Sequence, residues 1–138
     1  MSIEDNKDLN RRVVEEVLNT GKVELLDEMM TPSVAAHLQR DIPALRQAFP
    51  DLHYTIENMV AEGDQVVVRV TMTGTNTGPF QGRPPTGRSA RWTGMVLSRC
   101  AGGKIVEQWF NLDLFTLMQQ LGVIPGGMPS HAGLVQQP

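Results

Sequence analysis

Apolar residues recur at helical spacing at Leu9, Val13 and Val17, and Val14 and Leu18 widen that stripe. The pattern predicts a helix over residues 6–19, with Gly21 where a C-terminal stop belongs. A second short helix over "VELLDEMM" offers Leu25, Leu26, Met29 and Met30. In "DIPALRQAFPD", Asp41 or its neighbour caps a third helix, Pro43 fits its first turn and Pro50 ends it. The period then shortens. "LHYTIENMV" alternates, and "GDQVVVRVTMTGTNTG" is a β-branched run after a Gly-Asp turn.

"RWTGMVLSRC" and "KIVEQWFNLD" flank "AGG", which predicts a hairpin turning on Gly102 and Gly103. Counting outward from Ala101 opposite Lys104 puts Trp92 opposite Asp113. Strand side chains alternate, so this count gathers Trp109, Asn111 and Asp113 on one face with Trp92 and Val96. A slip of one residue would break the grouping. "GTNTGPFQGRPPTGRSA" reads as a long connection, in part a hairpin excursion, and "LFTLMQQLG" as a closing helix. Residues 1–125 form one domain, and 126–138, "GGMPSHAGLVQQP", carry no period and read as a flexible tail. Helices followed by antiparallel strands and a last short helix indicate an α+β fold. A strongly curved sheet wrapped around a helix would bury one helical stripe and leave a cone-shaped pocket.

Composition narrows the function classes. A formal charge of −3 and a pI near 5.5 argue against an electrostatic nucleic-acid binder. The single cysteine, Cys100, leaves no internal disulfide, and no apolar run reaches membrane-spanning length. The start "MSIEDNKDLNRR" has no secretory h-region, so a cytoplasmic protein is expected. His37, His53 and His131 are far apart with no metal-ligand spacing, so no metal is expected. His37, after "TPSVAA", reads as a loop histidine near the pocket mouth, while His53 and Glu107 read as surface residues.

Asp113 has two readings. It can cap the closing helix, where an aspartate contributes about 1 kcal/mol and is chemically inert. It can also face an apolar pocket beside Trp92, Trp109, Val96 and Leu114, where a poised carboxyl suits proton abstraction next to a carbonyl. Asn111 on the same face would hold the carboxylate or bind a substrate carbonyl. The tryptophans would shape the pocket.

The stretches "AFPDLHYTIENMVAEGDQVVVRVTMTGTNTG", "PFQGRPPTGR" and "GKIVEQWFNLDLFTLMQQLG" resemble the SnoaL-like polyketide cyclases over roughly residues 6–125. That resemblance implies the cone-shaped α+β barrel of the nuclear-transport-factor-two superfamily. It implies a site without cofactor or metal in the mouth of the cone, and an aromatic polyketide-like carbonyl substrate. It also implies an acid/base role for Asp113 in an intramolecular aldol ring closure, with substrate contacts from Asn111, Trp92, Trp109, Val96 and His37. Asn111 stands where the resemblance leads one to expect a histidine, and the segment from His37 to Asp41 is shorter than in relatives. A homo-oligomer is expected. Two alternatives stand beside this reading: a ketosteroid-isomerase-like proton transfer, for which Tyr54 is the only tyrosine, and a non-enzymatic small-molecule-binding homodimer.

Overall fold

The computed structural model describes residues 2–124, and the tail expected over 126–138 lies outside them. Helix α1 (Ile3–Arg12) starts at a capping box in which Ser2 and Asp5 each bond the other's backbone N–H. It widens into a π turn over Val13–Leu18 and stops at Gly21, whose φ of 82° suits a residue without Cβ. A 3₁₀ turn (Val23–Leu25) leads into α2 (Leu26–Met29).

Helix α3 departs from the sequence expectation. It runs from Pro32 to Ala48 as one element, with Pro32 in its first turn and Pro43 inside it. Pro43 forgoes one intrahelical bond and is exposed, so the helix passes through it. His37 is therefore a helical residue, and Asp41 lies in mid-helix rather than at a cap.

Strands β1 (His53–Glu62), β2 (Gln65–Thr75), β3 (Ser89–Ala101) and β4 (Lys104–Leu112) form one antiparallel meander, and α4 (Leu114–Leu121) closes the chain. The curved sheet wraps the helices, which is the α+β cone expected. Its inner face supplies Val66, Val68, Val70, Met72, Trp92 and Ile105 to the core, and the helices supply Leu9, Val13, Val17, Leu26, Leu38 and Ile42. Phe49, fully buried, joins three regions. Its ring lies 5.3 Å from Trp92 on β3 and 5.6 Å from Phe80 in the long connection, centroid to centroid.

That connection is a hairpin excursion carrying an isolated antiparallel bridge between Phe80 and Arg83. Buried Asn76 holds its base: its amide donates to the Gly78 carbonyl at 2.9 Å and accepts from the Thr86 N–H at 2.9 Å. None of the described helices is long and apolar enough to cross a membrane.

The β3–β4 hairpin corrects the sequence count. Ala101 pairs with Lys104 and Cys100 with Ile105, but Arg99 pairs with Glu107, so Val106 is an extra bulged residue. Everything beyond it shifts by one. Asp113 then donates its N–H to the Thr93 carbonyl at 2.9 Å, and Trp109 lies opposite Leu97 and Asn111 opposite Met95. Because side chains alternate, this shift moves Trp109, Asn111 and Asp113 to the outer face, away from Trp92 and Val96.

Candidate functional site

The inside of the cone is a cavity of about 300 Å³, within the range of small-molecule sites. Helix α3 presents one stripe to it, His37, Leu38, Asp41, Ile42 and Leu45, at the spacing of a single helical face. The first helix contributes Asn10, Val13, Val14 and Leu18, and β2 contributes Val68, Val70 and Met72. Trp92 and Val96 come from β3, and Gln108, Phe110 and Leu112 from β4, the residues the bulge turns inward. The lining is predominantly apolar, interrupted by Asn10, His37, Asp41, Tyr54 and Gln108.

Trp92 and Val96 on β3 line the cavity, and so does His37, from within α3 and not from the loop expected for it. Trp109 and Asn111 are exposed on the outer face instead, and Asp113 does not line the cavity. Asp113 caps α4: one carboxylate oxygen accepts from the Thr116 N–H at 3.1 Å, the other from the Thr116 hydroxyl at 2.6 Å. It borders a shallow depression on the outer face with Arg69, Thr93, Gly94, Met95, Asn111 and Leu112. The capping reading of Asp113 is what the backbone displays.

Tyr54, which the sequence offers only as the tyrosine of the isomerase alternative, is one of these polar wall residues. Its backbone is clasped on both sides by Asn19, whose amide donates to the Tyr54 carbonyl at 3.0 Å and accepts from its N–H at 2.7 Å. Arg46 locks the adjoining turns by donating to the carbonyls of Leu18 and Leu52 at 3.0 and 3.1 Å. Burial pushes the Tyr54 phenol up to about 12, with the nearby Arg46 cation pulling slightly the other way. The hydroxyl is therefore a neutral hydrogen-bond donor at ordinary pH.

A consequence is testable. The unfolded phenol ionises near pH 10 while the folded one stays protonated to about 12. In that window the unfolded chain alone loses the proton, so stability falls as pH rises, by at most about 1.4 kcal/mol per pH unit. Urea midpoints should drop more steeply from pH 10 to 12 for wild type than for Tyr54→Phe. Equal slopes would show that the fold does not hold the Tyr54 phenol above its ordinary value.

Cys100 is buried beneath the sheet, and that burial pushes its thiol up, against a weak donation from the Asn10 amide to Sγ at 3.7 Å. A thiol held neutral makes a poor nucleophile. His53 and Glu107 are exposed as expected, the latter paired with Arg99 at 2.6 Å. Among the described residues no three His, Cys, Asp or Glu side chains stand together as a metal site requires.

A curved sheet closing on helices around a mainly apolar chamber, with a few polar groups in its wall, defines a small-molecule site. The sequence matches the SnoaL-like polyketide cyclase family over residues 8–121, and the chain belongs to that family. Solved structures agree. AclR of Streptomyces galilaeus, provisionally assigned as a hydroxylase, is 27% identical with a TM-score of 0.83, covering 92% of this chain and 87% of its own. A SnoaL-like protein of Jannaschia sp. CCS1, provisionally assigned as a polyketide cyclase, is 27% identical at 0.79, covering 91% and 97%. IdmH of Streptomyces antibioticus, with the same provisional assignment, is 28% identical at 0.75, covering 85% and 98%. No curated protein matches.

Proposed function

We propose that this protein closes a ring in a flat, largely apolar carbonyl compound of aromatic polyketide type, by intramolecular aldol condensation inside the cone. The observation that carries the reading is the cavity: apolar walls of the right size for such a substrate, with isolated polar groups that can orient a carbonyl. Family membership supports the reaction class. In such a substrate the aromatic system spreads the carbanion charge. The protein then has to supply position, exclusion of water and one group that moves a proton.

The acid/base role that the resemblance gives Asp113 belongs to this proposal only if its carboxylate leaves Thr116 and reaches the cavity. Tyr54 in the wall also suits a ketosteroid-isomerase-like transfer, whose first step, proton abstraction next to a carbonyl, is the same. A homo-oligomer paired through the outer face of the sheet, where Met95 and Trp109 are 51% and 45% exposed, completes the reading.

The deciding experiment is ring closure of an aromatic polyketide methyl ester bearing an aldehyde. Saturable turnover above the uncatalysed rate is expected. Tight binding with no turnover would make the protein a binding module, and turnover of a ketosteroid alone would favour the isomerase.

A further inference from the structure

Of the described residues that line the cavity, Asp41 alone carries a carboxylate. It lies on the cavity-lining stripe of α3, one turn beyond His37, and both residues are exposed. One Asp41 oxygen accepts from the Arg40 guanidinium at 3.0 Å. The other takes part in none of the hydrogen bonds found among the described residues. Asp113 is the opposite case, with both oxygens engaged by Thr116 and the group outside the lining.

We propose that Asp41 is the catalytic acid/base of the cavity and that Tyr54 donates its hydroxyl to the substrate's enolate oxygen. The assignment rests on the ring-closure reading above and names the residues that perform it. Asp41 takes the proton from the carbon next to the ester carbonyl, and the electron pair of that C–H bond becomes the enolate. The Tyr54 hydroxyl, neutral throughout the working range, hydrogen-bonds the enolate oxygen. The enolate carbon then bonds to the aldehyde carbon, and the aldehyde π pair moves to its oxygen as an alkoxide. Asp41 returns its proton to that alkoxide. Substrate and product are isomers, so no co-reactant is consumed.

Proton abstraction can be read without ring closure. An aromatic polyketide-type methyl ester lacking the aldehyde cannot cyclise, but it can exchange its α-hydrogen in D₂O. Wild type should catalyse this exchange. Asp41→Asn should lower the rate by about 10²–10⁴-fold, the usual contribution of general acid–base catalysis, with little change in ester binding. Tyr54→Phe should lower it by a smaller factor, again at unchanged binding. Asp113→Asn keeps the α4 cap, since asparagine caps a helix about as well as aspartate, so comparing its exchange rate with that of Asp41→Asn decides between the two carboxylates, and the larger loss is expected in Asp41→Asn.

No exchange by wild type, or exchange that survives in Asp41→Asn, overturns the assignment. Loss in Asp113→Asn with retention in Asp41→Asn overturns it in favour of Asp113. Exchange that depends on Asp41, without closure of the aldehyde-bearing ester, sustains Asp41 as the acid/base and removes the cyclase reading instead.

Discussion

Val96→Trp is expected to leave the protein folded and to cut kcat/KM for ring closure by at least about a hundredfold. Val96 lies on β3 opposite Phe110, and its side chain is a partly exposed portion of the cavity wall. An indole there projects into a space of about 300 Å³ that the substrate must share. The sheet can accept it because the bulk enters a cavity and not packed core, where overpacking usually costs about 1–3 kcal/mol. Displacing a substrate by even about 1 Å costs on the order of 10² in rate. Circular dichroism and a melting curve check the fold, and initial rates check the effect. Unchanged kcat/KM in the folded variant would place the chemistry outside the cone.

Phe49→Ala is expected to have the largest effect on stability. Phe49 is fully buried, and its ring meets Trp92 and Phe80 while its side chain sits against Gly74 of β2. A Cβ on Gly74 would approach the Phe49 side chain to 3.0 Å, which shows how closely ring and strand are packed. Removing the ring deletes its transfer free energy and leaves a void, for a loss of about 3–5 kcal/mol. Domains of this kind are stable by about 5–15 kcal/mol, so the variant loses a large part of its margin. The urea midpoint reports it. A loss below about 1 kcal/mol would show that Phe49 does not tie the long connection and the cavity wall to the core.

Much of this architecture is legible in the sequence. The four strands, the Gly102–Gly103 turn and the closing helix follow from alternation, turn residues and helical spacing. Asp113 illustrates the limit. Its sequence position fits either a cap or a poised acid, and only the backbone geometry at Thr116 displays the cap. The bulge at Val106 is the decisive unreadable feature. A period-2 count assumes paired residues, and one unpaired residue exchanges the faces of everything beyond it. That exchange turns Gln108, Phe110 and Leu112 inward in place of Trp109, Asn111 and Asp113.

Helix α3 hid Asp41 for a different reason. Pro43 reads as a first-turn residue, which makes Asp41 a cap and His37 a loop residue. Once the helix runs through Pro43 from Pro32, both fall on its cavity-lining stripe. The signal was present: Leu38, Ile42 and Leu45 already carry helical spacing on the same face. Tyr54 was visible as the only tyrosine, but its place in the wall depends on strand pairing with Met72.

The central claim, that small carbonyl ligands enter the cone and not the outer face of the sheet, has a built-in reporter. The protein has two tryptophans, Trp92 in the cavity wall and Trp109 on the outer face. An aromatic ketone that quenches indole fluorescence on contact can be titrated into Trp109→Phe, which keeps Trp92, and into Trp92→Phe, which keeps Trp109. Saturable quenching is expected in the protein that retains Trp92, with only weak collisional quenching in the other. Saturable quenching confined to the protein that retains Trp109 would contradict the account and move the site to the outer face.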